Sequence, residues 1–114
     1  MLHKLPRLAL TIEPAAGDPL DLAVQADNRG ACAYDLVRSA KGYPAPADAP
    51  FLWMTYLAYH ALRRTGQLAA HQLSEDFDQF RLTVAQLVPV DESGDRVELA
   101  DVLGENVDPT QPAT

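Results

Sequence analysis

Few side chains in this sequence could do chemistry: His3, His60, His71, Cys32 and two acid-rich turns, "EDFD" (75–78) and "DESGD" (91–95). The histidines lie far apart. None belongs to an HExxH arrangement, in which two imidazoles one helical turn apart hold zinc beside a glutamate base. His60 has Tyr56 one turn before it and Arg63 and Arg64 after it, with no carboxylate at helical spacing to orient the imidazole for acid–base work. Asp91, Ser93 and Asp95 alternate as oxygen ligands of a calcium loop do. Arg96 and Val102, however, stand where that loop needs glycine and glutamate. The group Glu75, Asp76 and Asp78 suits the positive end of a helix dipole. Cys32 is the sole cysteine, which excludes an intrachain disulfide, and its small neighbours in "GACAYD" suggest a buried apolar role. The six glycines form no phosphate-cradling motif. No enzyme, cofactor or metal centre is expected, and the histidines read as polar positions on structural elements.

Those elements predict a small α+β fold, mainly α, with an N-terminal β-hairpin packed on about three helices. "LALTIE" (8–13) and "LDLAVQ" (20–25) alternate apolar and polar residues across the turn-rich "PAAGDP", so residues 8–25 should form a hairpin. Asp27 or Asn28 can cap a helix over about 28–41, with Cys32, Ala33, Leu36 and Ala40 as its apolar stripe and Gly42 and Pro44 at its end. The proline-rich loop "GYPAPADAP" leads into a second helix over about 49–65, with Asp48 as cap and Pro50 in the first turn. Ser74 can cap a third over about 74–88, with Phe77, Phe80, Val84, Leu87 and Val88 as its stripe. Residues 1–88 then make a compact domain and 89–114 an acidic tail, loosely ordered. Residues 1–88 carry nine acids against eight bases, whereas 89–114 carry seven acids against Arg96 alone. With no basic face to displace counterions, nucleic acid is not an expected partner. No stretch reaches the ~18 apolar residues of a membrane span, and "MLHKLPRLAL" shows no cleavage-like site, so neither a membrane nor a signal peptide is expected.

The second helix holds the main puzzle. Ten of the twelve residues from Phe51 to Leu62 are apolar or aromatic. At 100° per residue, Phe51, Met54, Leu57, Ala58, Ala61 and Leu62 gather on one side. Leu52, Trp53, Tyr56, Tyr59, His60, Arg63 and Arg64 gather on the other. The first side suits the core. The second has the aromatic and arginine composition enriched where proteins meet. Two readings stand: both sides are buried in one domain, or the aromatic side meets a second copy or another protein. The second follows if the remaining stripes have no apolar surface to spare. It makes Leu52, Trp53, Tyr56, Tyr59, His60 and Arg63 the candidate partner-binding residues.

The order of "YDLVRSAKGYP", "DAPFLWMTYLAYHALRR", a helix starting near "EDFDQF" and the ending "VDPTQPAT" resembles the small tail assembly chaperones of long-tailed phages of actinobacteria. The resemblance runs from about Asp27 to the C-terminus, and "DLVRSAKGYP", "DAPFLW" and "DPTQP" carry most of it. It implies a non-catalytic protein of the host cytoplasm that coats the tape measure protein, keeps it soluble while tail-tube subunits polymerise around it, and is absent from the mature virion. Homo-oligomers and a longer, frameshifted version of the chain are further implied partners. Alternatives are a head-to-tail connector or tail completion protein retained in the particle, or a small helical regulator that mimics an acidic surface.

Overall fold

The structure is a computed structural model and describes residues 5–103. Strands β1 (Arg7–Ile12) and β2 (Leu20–Gln25) form the expected antiparallel hairpin, with Leu8 opposite Val24 and Leu10 opposite Leu22. Helices α1 (Asn28–Lys41), α2 (Pro50–Arg64), α3 (Gln67–Ala70) and α4 (Phe77–Thr83) follow, then strand β3 (Val84–Val90) and helix α5 (Leu99–Leu103). β3 returns antiparallel to β1, so the sheet order is β2-β1-β3 and the N-terminal strand is central. Leu8, Leu10 and Ile12 of β1 are buried on one face of the sheet, and α2 packs on α1, α3, α4, β2 and β3.

Two parts of the expected helical layout are corrected. The helix expected over 74–88 ends at Thr83, and its second half is β3. The sequence "VAQLVPV" has three valines, whose branching favours a pleated strand, and Pro89, which a helix interior rejects. Phe77 and Phe80 are buried from α4, whereas Leu87 is buried by strand alternation, so one apolar pattern served two elements. An extra residue in β3 at Ala85 pairs Ile12 with Val84 and Thr11 with Gln86, keeping both rows on their proper faces. Ser74 does not cap α4. Its Oγ accepts from the Asp76 N–H at 3.0 Å in the turn before it.

The expected boundary after Val88 falls inside β3. Beyond Val90 the chain turns on Asp91, whose Oδ1 accepts from the N–H groups of Ser93 and Asp95 at 2.9 and 3.0 Å, and Gly94 takes a φ of 94°. The Ser93 hydroxyl also donates to Oδ1, at 2.6 Å, and does most to hold the Asp91 carboxyl below its ordinary pKa, with the backbone N–H groups adding to it. The Val97 N–H then donates to the Pro89 carbonyl at 3.0 Å, laying residues 95–97 along the outer edge of β3. In an antiparallel strand a residue's N–H and C=O point the same way, so the missing N–H of Pro89 faces away from β1 and costs the sheet nothing. Leu99, Val102 and Leu103 of α5 pack against the core. Regular elements thus continue past residue 88, to Leu103. The remainder of the expected loose tail, 104–114, lies outside the described residues.

The helix caps follow local chemistry. Asp27 caps α1 by accepting from the N–H groups of Arg29 and Gly30, and Gly42 ends it in the left-handed region at φ 73°. The α1 stripe differs from the expected one. Gly30 and Tyr34 are buried, whereas Leu36 is 74% exposed and Cys32 faces solvent. Tyr34 wins that competition because its ring has aromatic partners and its hydroxyl donates to the Pro44 carbonyl at 2.7 Å. Helix α2 starts at Pro50 with Ala49 as its cap, so Asp48 plays no capping part.

Candidate interaction surface

Helix α1 crosses α2 closely and antiparallel. A Cβ on Gly30 would stand 3.3 Å from Leu57 Cδ2 and 3.6 Å from His60 Cβ. Glycine leaves room here, and a methyl group would need the end of the Leu57 side chain to give by a few tenths of an ångström. At the same end of the pair, Arg64 Nη2 lies 3.0 Å from Asp27 Oδ2, and Arg29 Nη2 lies 2.8 Å from the same oxygen. Burial alone would raise the Asp27 pKa. Hydrogen bonds from Arg29 and Gly30 and the charges of Arg29 and Arg64 outweigh it and hold the carboxyl below its ordinary value. Asp27 therefore contributes stability above its unfolded pKa that is lost as pH falls through the folded one.

The aromatic side of α2 is where the structure departs most from the sequence reading. Trp53 is 7% exposed, Tyr56 8% and Tyr59 6%, all within one chain. The expectation that these three rings face a partner is corrected: the protein covers them itself. Around Tyr56 and Tyr59, the rings of Tyr34 of α1, Tyr43 of the proline loop and Phe77 and Phe80 of α4 supply the missing surface. Phe77 sits 5.0 Å from Tyr56 and 5.3 Å from Tyr59, while Tyr34 lies 5.7 Å from Tyr56 and Phe80 5.6 Å from Tyr59. Tilted and edge-on rings at these distances attract beyond the area they bury. The Tyr59 hydroxyl donates to the Glu75 carbonyl, tying α2 to the entrance of α4. Tyr34 and Tyr43 had been given no place in the core, and that omission created the apparent excess of aromatic surface.

The other candidate residues divide. Leu52 is half-buried against the core, and Arg63 is exposed with its Nε 3.7 Å from Glu75 Oε1. His60 is half-buried, and its Nδ1 is enclosed beside Gly30 with no hydrogen-bond partner. A buried lone pair costs less than a buried N–H, so the neutral Nε2–H tautomer fits best. Burial, followed by Arg64, pushes the imidazole below its ordinary pKa, with Arg63 and Arg29 adding to the shift and Asp27 opposing it. Between the folded pKa and the unfolded value of 6.5 the unfolded chain holds more protons, so stability is lost as pH falls through that window. In thermal melts of wild type and His60→Gln, the variant should lose less Tm between neutral pH and about pH 5. Equal losses would exclude His60 as the titrating group.

What remains for a partner is on the surface. Among the described residues, the large apolar side chains left exposed are Leu36, at 74%, Phe51, at 59%, and Leu82, at 70%. Phe51 had been expected in the core face of α2, so on this helix the inner and outer aromatics are exchanged. The pairings of Asp27 with Arg64, Gly30 with Leu57 and Tyr34 with Tyr56 set α1 and α2 antiparallel, which brings Leu36 and Phe51 toward the end joined by the 42–49 loop. The outer sheet face carries Ala9, Thr11, Asp21, Ala23, Gln86 and Val88 around an open groove. Among the described residues no group of three or more His, Cys, Asp or Glu could hold a metal ion, and no helix is long and apolar enough to cross a membrane. Family models, curated proteins and solved structures yield no match to this chain.

Proposed function

We propose that this protein is a non-catalytic phage tail assembly chaperone that binds the helical tape measure protein and keeps it soluble during tail-tube assembly. The observation that carries this reading is a coincidence of position. Leu36 and Phe51, two of the large apolar side chains left in solvent, fall inside "DLVRSAKGYP" and "DAPFLW", the segments on which the resemblance rests. A client helix laid across the loop end of α1 and α2 would bury both, with the exposed Arg63 further along α2. By binding unassembled client the protein lowers the free concentration of aggregation-prone chains through mass action. In this reading it works in the host cytoplasm as a homo-oligomer, alongside tail-tube protein and a longer version of itself, and leaves before the virion is complete.

Co-expression with a tape measure protein tests the reading. Wild type should hold the client in the soluble fraction and co-purify with it. Leu36→Ser with Phe51→Ser should melt like wild type yet bind about a hundredfold more weakly, since burying each side chain is worth roughly 1.5–3 kcal/mol. Undiminished binding by the double variant would remove these residues from the client surface. Recovery of the protein in purified particles would favour the connector role instead.

A further inference from the structure

The two edges of the sheet are treated differently. The β3 edge is closed by Pro89 and by residues 95–97. The β2 edge has no such cover: among the described residues no strand lies beyond β2. The Ala26 N–H donates to the Pro6 carbonyl at 3.0 Å, which fixes the direction of every backbone group in β2. Leu20, Leu22 and Val24 bond toward β1, and the N–H and C=O groups of Asp21, Ala23 and Gln25 point outward. Beside this edge runs an open groove of about 340 Å³, walled on the helix side by Ala61, Arg64, Thr65 and Gln67. A row of unpaired strand groups next to a groove is the geometry that accepts an added strand.

We infer that β2 is a dimerisation edge, where the β2 strands of two copies pair antiparallel about a two-fold axis through Ala23 to make one continuous six-stranded sheet. The inference deepens the homo-oligomer part of the proposed function and is independent of the client. Self-pairing is favoured by the residues. With Ala23 opposite the partner's Ala23, Asp21 faces the partner's Gln25 and Leu22 faces the partner's Val24. All three outward residues of each copy then exchange both backbone hydrogen bonds, and no like charges meet. Shifting the axis to Leu22 would set Gln25 opposite the partner's Pro19, which has no N–H to give. The chosen register also keeps Leu20, Leu22 and Val24 on the helix side in both copies, where the groove receives them. Arg64 reaches the interface already held by Asp27 at 3.0 Å, a carboxylate that it shares with Arg29.

The test uses the full chain alone, by light scattering across a dilution series and by amide hydrogen exchange at Asp21, Ala23 and Gln25. Wild type should show the mass of two chains when concentrated and of one when dilute, with the three amides slowed only in the concentrated sample. Ala23→Pro should keep the mass of one chain throughout and melt like the dilute wild type, because the N–H it removes makes no bond to β1. If Ala23→Pro fails to fold, the wild-type exchange decides: slowing only on concentration supports the edge, and fast exchange at every concentration overturns it. A wild type of one-chain mass at all concentrations also overturns the inference, as does a folded Ala23→Pro that still dimerises. Amides slow at every dilution would mean that the chain covers its own edge, and would overturn it equally. None of these outcomes involves tape measure protein, so they separate from failure of the chaperone reading.

Discussion

Replacing Trp53 and Tyr56 together by alanine is expected to unfold the protein, not to strip a folded one of its partner. Both rings are less than a tenth exposed within one chain, and Tyr56 touches Tyr34, Tyr59 and Phe77. Truncating a large buried aromatic costs about 3–5 kcal/mol. A domain of this size has roughly 5–15 kcal/mol of stability in total. The two positions lie one turn apart on α2, so their costs will not add cleanly, yet even a partial sum matches the whole stability of a fold in the lower part of that range. Denaturant melts should place the double variant at or beyond its midpoint in plain buffer. Phe51→Ala, on the same helix but 59% exposed, should stay within about 0.5 kcal/mol of wild type. A double variant that melts like wild type would mean that the rings are not in the core.

The second large effect concerns β3. Leu87→Ala should cost about 2–5 kcal/mol, whereas Val88→Thr should cost less than about 1 kcal/mol. The contrast is a property of the strand. Leu87 lies opposite Leu10 on the helix-covered face, and Val88 lies opposite Ala9 on the outer face. In a helix running to residue 88 the two would share one buried stripe and the costs would be alike. Threonine keeps the branching that a strand favours, so any large loss at position 88 would come from burial and would argue for the helix. Chemical denaturation of the two variants measures the difference directly.

The sequence made the local parts of this fold legible and the distant ones not. The hairpin, α1 and α2 could be read because alternation, an Asp27 cap, the left-handed Gly42 and the proline loop all act within a few residues. β3 was hidden because Phe77, Phe80, Val84 and Leu87 satisfy helical spacing, and only the unpaired edge of β1, some seventy residues earlier, selects the strand. The wheel drawn for α2 placed its aromatic side correctly as a side. Whether that side is inside depended on Tyr34 and Tyr43, whose rings approach to 6.1 Å from separate segments. A helix apolar all round is a buried helix once neighbours exist to surround it. The exposed positions Leu36 and Phe51 were missed for the same reason, since the stripes that seemed to need them were filled by Tyr34 and by the sheet.

The placement of β1 at the centre of the sheet also dictates an order of events at birth. β1 is made well before β3 and must hold one flank open until Val84–Val90 emerge. During translation the nascent hairpin can rest on α1 and α2, but its inner ladder is completed only once β3 has left the ribosome. Such a long-range closure slows folding and leaves a sticky flank exposed in the meantime. A protein proposed to guard other chains from aggregation thus begins its own life with the same hazard, relieved when β3 arrives.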